Sequence, residues 1–278
     1  MTVAIAGASG MIGRALQKRL AESGHTALTI ARGGGPPTCD AIVNLAGEPI
    51  AQRWTPGAKK RIHDSRVEGT RHLVNAISSL PQRPQVLVCA SAVGIYGSRD
   101  DEILTETSAP GSGFLPQVVI DWEMAAKPAQ ELGVRVVSLR FGAVLGHGGA
   151  LAKLLPVFKL GAGGRLASGH QWMSWIHIHD AVGLIRSAIE NAGFKGPLNA
   201  TAPNPVTNAE FTNVLAGELH RPAVFPVPAF ALKLALGEMS QVLLDSQRAI
   251  PSAAQAAGFR FEYPELRPAL HHILATRT

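Results

Sequence analysis

Residues 2–25 read TVAIAGASGMIGRALQKRLAESGH: an apolar run, three regularly spaced glycines, then an amphipathic stretch. Val3 and Ile5 with their flanking alanines suit a short strand buried on both faces, as in a parallel sheet. Gly7, Gly10 and Gly13 form G-x-x-G-x-x-G. The first glycine permits a tight turn, the second lets backbone N–H groups approach a diphosphate, and the third lets the following helix pack closely on the strand. Ser9, Met11 and Ile12 complete that turn. Ile12, Ala15, Leu16 and Leu20 supply the buried stripe of the helix, which Gly24 ends. A glycine pattern alone is weak; with a strand before it and a helix after it, it predicts a dinucleotide-binding α/β unit rather than a bare glycine-rich turn.

The second strand, TALTIAR at 26–32, ends on Arg32. An acid here would bind a ribose 2′-hydroxyl, whereas a guanidinium suits a 2′-phosphate, so the sequence favours NADP over NAD. The competing reading is a solvated arginine at a strand end. The next strand lies in DAIVNLAGE, 40–48, and only GGGPPTC separates Arg32 from Asp40. Seven residues reach about 23–25 Å at most, too little for a strand and a crossover helix. The expected sheet therefore lacks its usual third strand, and the second strand lies at an edge.

The 278-residue chain is 46% hydrophobic and 17% charged, ordinary for a globular protein with a substantial core. Its start, MTVAIAGASG, has no basic segment followed by a long apolar run, and no stretch suits a membrane span. Cys39 and Cys89 lie far apart with no CxxC pairing, which suits a reducing cytoplasm. There are 26 Lys+Arg against 20 Asp+Glu, but the only local basic cluster, KKRIHDSR at 59–66, is interrupted by an acid. A nucleic-acid binder would concentrate its charge on one face, so no nucleic-acid partner is expected.

The segments GASGMIGRAL, DAIVNLAGEPIAQRW, RIHDSRVEGTRHLVNAI, SAVGIYG, GFRFEYPELRPAL and the long block LRFGAVLGHGGALAKLLPVFKLGAGGRLASGHQWMSWIHIHDAV span nearly the whole chain. In them the sequence resembles the extended short-chain dehydrogenase/reductases, in the atypical epimerase-like branch related to the bacterial YfcH-type proteins. The resemblance implies a Rossmann domain that binds NAD(P), with a smaller C-terminal cap over the nicotinamide. The short link after Arg32 departs from the family pattern, which has extra residues there.

The resemblance also places a proton-transferring Tyr-x-x-x-Lys pair in LPQVVIDWE at 115–123, where this chain carries Leu115 and Val119. Neither can lower the pKa of a phenol or supply one. Only Glu123 matches the frame. The family's upstream hydroxyl falls at Ala92, one position from Ser91; either the loop shifts by one residue or the hydroxyl turns away. Arg66 stands where typical members carry Asn, near the nicotinamide, near an anionic substrate, or simply on a helix surface. Tyr96 follows a parallel strand at its carboxyl end, where ligands bind in such sheets. The glycine-rich LGAGGRLASGHQW, 160–172, reads as a lid, with Trp172, Trp175, His170 and Arg165 near the site.

Ser91, Tyr96 and Arg66 are thus the candidate catalytic residues. The expected cofactor set is Gly7, Ser9, Gly10, Met11, Ile12, Gly13, Arg32, Leu45, Ala46, Gly47, Glu48, Arg66, Ser91 and Arg140. His177 and His179 alternate without an evident third ligand, Asp180 reads as a helix cap, and His271 and His272 read as solvated, so no metal is assigned. Further strands are expected at 84–91, 134–142 and 196–203. Helices are expected near 56–79, 114–132, 149–159, 180–192, 207–219, 228–243 and 251–257. Together these predict an α/β, Rossmann-type doubly wound parallel sheet formed by 1–148 and 176–203, with 149–175 and 204–278 as the smaller cap. The expected activity is an NADP(H)-dependent oxidoreductase or epimerase-like enzyme on a small polar or carbonyl-bearing substrate, working as a monomer or homodimer. The alternative is a non-catalytic NADP(H)-binding sensor.

Overall fold

The computed structural model describes residues 1–276. Its first half alternates strand and helix: β1 (Thr2–Ala6), α1 (Met11–Glu22), β2 (Thr26–Ile30), β3 (Ala41–Asn44), α2 (Pro56–Ser78), β4 (Val86–Ala92), β5 (Ile103–Leu104), α3 (Phe114–Ala126) and β6 (Arg135–Phe141). There follow β7 (Ala143–Leu145), α4 (Gly149–Lys159), β8 (Trp172–Met173), β9 (Trp175–His177), α5 (Ile178–Glu190), β10 (Gly196–Ala200), β11 (Val206–Thr207) and α6 (Asn208–Glu218). The chain ends through α7 (Ala229–Leu236), α8 (Gln241–Leu244), β12 (Arg248–Ala249), α9 (Ser252–Ala256) and α10 (Leu266–Ala275).

Six strands form one parallel sheet in the order β10-β6-β4-β3-β1-β2. Successive side chains of a strand point to opposite faces, and here both faces are apolar. Val3 and Ile5 of β1 join Leu16 and Leu20 of α1 and Ile185, Ala188 and Ile189 of α5 on one side. Ala4 and Ala6 join Leu73, Val74 and Ile77 of α2 and Ala126 of α3 on the other. That two-sided covering is the doubly wound arrangement the alternating pattern predicts.

β2 is the edge strand, pairing with β1 alone, and β1 pairs on its other side with β3. Residues 31–40 form an irregular link with no strand or helix of its own. The third strand of the usual order is missing, as the length of GGGPPTC requires.

A second core lies outside the sheet. Leu151 and Phe158 of α4, Trp175 of β9, Phe211 and Leu215 of α6, and Leu266, Leu270 and Ile273 of α10 are buried together. This is the cap. Residues 252–259, expected within it, instead lie against the sheet, with Ala254 in the core shared by α1 and α5. The segment expected as one helix over 228–243 is α7, a 3-10 turn at Gly237–Ser240 and the short α8, because Gly237 adopts φ 62° and stops the helix. The helix expected over 114–132 ends at Ala126 and continues as a 3-10 turn that contains Pro128.

The glycine turn is sterically forced. Gly7 sits at φ +80°, and a Cβ on Gly13 would lie 2.4 Å from the Gly7 carbonyl oxygen and 2.7 Å from Ala8 Cα. Both obstacles are backbone, so they cannot swing aside. Gly13→Ala is expected to lower the unfolding free energy by about 1–3 kcal/mol through overpacking, seen as a lower urea midpoint; an unchanged midpoint would contradict the close approach.

Candidate active site

At the carboxyl ends of β3, β4 and β6, between the sheet and the cap, lies a cleft of about 450 Å³. Ligands bind at this edge of open parallel sheets. Its sheet-side wall comes from Leu45, Ala46 and Gly47 after β3, Ser91 and Ala92 of β4, Phe141 of β6, and Leu115, Val118, Val119 and Trp122 of α3. Trp172, Met173, Ser174, Asn208, Leu243, Asp245 and Gln247 close it from the other side. The glycine turn adjoins it, since a Cβ on Gly7 would lie 2.8 Å from the Leu45 carbonyl carbon.

α1 begins at Gly10 with no side-chain cap and no acid in its first turn. The amides of Met11 and Ile12 belong to the first turn, whose N–H groups lack intrahelical partners. They are therefore open to an anion, which the helix dipole also favours. Met11 tucks under the loop after β7, its sulfur 3.0 Å from where a Cβ on Gly148 would stand. Arg32 is exposed beyond the end of β2, in no ion pair or hydrogen bond among the described residues.

Arg66 reaches back from α2 to the cleft. Its NH1 donates to the Glu48 carbonyl (3.0 Å) and the Ile62 carbonyl (3.1 Å), and the guanidinium lies 5.2 Å from the Trp122 ring centre. Burial lowers its pKa to about 10, with the Glu48 charge opposing the shift. The side chain remains a cation at neutral pH. Its Cζ would be 3.1 Å from a Cβ on Gly47, so the guanidinium packs closely over this glycine. Glu48 carries its carboxylate away to Gln52 and Arg61 and does not line the cleft.

Tyr96 and Arg140 are placed differently from expectation. Arg140, on β6, forms a two-pronged ion pair with Glu123 of α3, Nε to Oε1 at 2.8 Å and NH2 to Oε2 at 2.9 Å. Its NH1 also donates to the Tyr96 hydroxyl (3.0 Å) and the Glu106 carbonyl (3.2 Å). Burial works against the Arg140 charge, but the Glu123 hydrogen bonds and charge outweigh it and raise the pKa. Tyr96 is fully enclosed, donating to Asn199 Oδ1 at 2.7 Å. Burial raises its pKa, ahead of the lowering effect of Arg140 and Asn199. The phenol has no opening to the cleft and holds its proton more firmly than a free tyrosine, so the expectation that it serves as the acid is corrected. Arg140, expected among the cofactor contacts, is a buried cation that joins sheet to helix and does not line the cleft.

Ser91 is on the cleft wall, yet its hydroxyl donates to Glu123 Oε1 at 2.6 Å. The hydroxyl is turned toward the Glu123 side chain of α3. Within the expected lid, Trp172 lines the cleft, whereas Trp175 is buried in the second core with Nε1 on the Asn204 carbonyl. His170 and Arg165 are exposed.

The histidines also need correction. His272 is half-buried, and its Nδ1 lies 3.1 Å from His177 Nε2. One ring nitrogen from each of His177, His179 and His272 lies within 4.8 Å of the others. His177 Nδ1 accepts the N–H of His179 and so caps α5, the place expected of Asp180. A neutral ring whose Nδ1 accepts carries its proton on Nε2. That nitrogen then donates to His272 and has no lone pair for a metal. Asp180 instead accepts the amides of Glu262 and Tyr263, fixing the strap that leads into α10.

Fold and cleft together define a Rossmann-type dinucleotide-binding protein with a cap. The NAD dependent epimerase/dehydratase family profile matches residues 3–199, and a domain of unknown function (DUF1731) matches 227–273. The chain belongs to that epimerase/dehydratase family, in its extended short-chain dehydrogenase/reductase, epimerase-like branch. It is 39% identical to the epimerase family protein YfhF of Bacillus subtilis, covering 100% of this chain and 99% of that one. The crystal structure of human epimerase family protein SDR39U1 (isoform2) with NADPH superimposes with a TM-score of 0.92 at 36% identity, over 98% of this chain and 99% of that one. The nucleoside-diphosphate sugar epimerase from Corynebacterium glutamicum gives a TM-score of 0.81 at 35% identity, over 99% of this chain and 58% of that one. No helix among the described residues is long and apolar enough to cross a membrane.

The histidine cluster generates a pH expectation. Burial foremost, then the neighbouring His179, His272 and His147, lower the His177 pKa from 6.5 to about 3. The unfolded chain therefore binds the extra proton first as pH falls. The stability from a neutral His177 is complete above about 6.5 and is lost as pH drops toward about 3. His177→Asn, which keeps a capping side chain, should flatten this decline by up to about 1.4 kcal/mol per pH unit in urea unfolding between pH 6 and 4. Equal slopes in variant and wild type would contradict the assignment.

Proposed function

We propose that the chain is an NADP(H)-dependent oxidoreductase of epimerase-like type, acting on a small carbonyl-bearing substrate held in the cleft. The observation that carries this reading is the uncapped, acid-free N-terminus of α1 adjoining the cleft through Gly7, with Arg32 unpaired beyond β2. These residues suit a dinucleotide: Met11 and Ile12 would hold the diphosphate through their amides, Arg32 the 2′-phosphate, and Leu45, Ala46 and Gly47 would flank the chain toward the cleft. The NADPH-bound human relative supports the same cofactor. A bound nicotinamide supplies or accepts a hydride.

The protein's own side chains would then do the rest. Arg66, a cation held by two carbonyls, would draw a carbonyl oxygen or an anionic group of the substrate toward the sheet side. Leu115, Val118, Val119 and Phe141 would exclude water around the reacting carbon, strengthening each charge nearby. In this reading residues 1–148 and 176–203 hold the dinucleotide and 149–175 with 204–278 face the substrate, apart from the segment around Ala254 that packs on the sheet.

Arg32 gives the test. Arg32→Ala should weaken NADPH binding by about 1–3 kcal/mol, the worth of a charge-assisted contact, and leave NADH binding nearly unchanged in calorimetric titration. Equal affinity of the wild type for NADPH and NADH would overturn the preference.

A further inference from the structure

Removing Tyr96 from the site leaves the cleft without its expected proton donor. Among the described residues that line it, only Arg66 and Asp245 carry ionisable side chains. Arg66 keeps its proton at neutral pH and can attract an oxygen but not acidify it. Ser91 is committed to Glu123, and both carboxyl oxygens of Glu123 are engaged by the two-pronged Arg140 contact. The remaining group is a carboxyl at the end of α8, in VLLDSQ (242–247).

Its setting is built. The Asp245 amide donates to the Gln241 carbonyl, closing α8. Ser246 is pinned on three sides: its amide on Ser98 Oγ, its hydroxyl on the Asp100 carbonyl, and its Oγ accepting the Trp172 amide. Gln247 donates its amide to the Trp172 carbonyl, and Gln171 Nε2 donates to the Leu243 carbonyl. The backbone around Asp245 is fixed while its carboxylate engages no described residue. Nor are its oxygens among the enclosed atoms that lack a partner, so they keep some access to solvent, and Asp245 lines the cleft. Burial raises the pKa of this acid, with no neighbouring charge opposing it. Other charged groups on the surrounding elements are Arg66 on α2, and Asp101 and Arg248, which hold the Trp172 indole from its edge and its face.

We propose that Asp245 is the acid–base residue of this cleft, exchanging its proton with the substrate oxygen in place of the tyrosine that α3 lacks. The inference rests on the reductase reading above. In the reducing direction the carbonyl carbon gains a hydride from a reduced nicotinamide, which is oxidised, and the C=O π pair moves to oxygen. That oxygen takes the proton from the Asp245 carboxyl group, giving an alcohol and a carboxylate that water reprotonates. In the oxidising direction the carboxylate takes the alcohol proton. A carboxyl whose pKa lies closer to neutrality can serve in both directions near neutral pH.

The test uses the full chain with NADP(H), and 4-nitrobenzaldehyde and 4-nitrobenzyl alcohol as probes. Asp245→Asn should bind NADPH as the wild type does and unfold at the same temperature, yet reduce the aldehyde about 10²–10⁴-fold more slowly. Asp245→Glu should recover part of that rate. Independently of turnover, the carboxyl ¹³C resonance absent from Asp245→Asn should titrate above the ordinary aspartate value of about 3.9, and should move when the alcohol is added to the NADP⁺ complex. Wild-type turnover matched by Asp245→Asn, or a resonance that titrates as an ordinary aspartate and ignores the alcohol, overturns the proposal while the reductase reading stands. Wild-type protein that binds NADPH but reduces no aldehyde removes the reductase reading and this proposal with it.

Discussion

A carboxylate and a guanidinium taken out of water together organise the centre of this molecule. Glu123 on α3 and Arg140 on β6 meet in two parallel hydrogen bonds, and Ser91, Tyr96 and the Glu106 carbonyl complete their shell. Such a pair is costly to desolvate and costly to break, because removing one partner strands the other charge, at roughly 3–5 kcal/mol. The bidentate geometry also fixes how α3 lies on the sheet. With α3 held by charge at Glu123, its preceding turns are free to be apolar. Leu115, Val118 and Val119 become cleft wall.

That choice moves the polar part of the site. A phenol and a serine hydroxyl that could have faced a substrate are drawn into the ion-pair shell, and the sheet side of the cleft keeps Arg66 as its only ionisable side chain among the described residues. The remaining functional groups come from segments after β7, where Trp172, Asn208, Asp245 and Gln247 face the opening. The cap is therefore more than a cover, since it contributes the one carboxyl group in the cleft among the described residues.

Much of this was legible in the residues. The periodicity and glycine spacing of 2–25 define β1, the turn and α1, and the seven residues after Arg32 leave no room for a third strand, which places β2 at the edge. Local geometry and chain reach decide these features. The cleft wall was legible where it follows the sheet edge, at Leu45, Ala46, Gly47, Arg66 and Ser91. It was not where long-range pairing decides. Position after β4 says that Tyr96 is near the cleft, but nothing in SAVGIYG says that Asn199 and Arg140 will enclose its hydroxyl. In the same way Asp180 looks like a cap until the strap at 262–263 claims its carboxylate, and His272 looks solvated until α10 lies against β9. Asp245 gives no local signal, being an acid after an apolar stretch, and its meaning comes from the wall opposite. α10 itself was recognisable as a family segment, GFRFEYPELRPAL, without its helix being evident.

The position of the dinucleotide decides the chemistry of the cleft, and a crystal structure of the protein with NADP⁺ tests that most directly. The expected result is a diphosphate on the Met11 and Ile12 amides, a 2′-phosphate beside the Arg32 guanidinium, and a nicotinamide ring inside the cleft between Arg66 and Asp245. A dinucleotide whose nicotinamide lies outside that cleft, or whose 2′-phosphate faces away from Arg32, would contradict it.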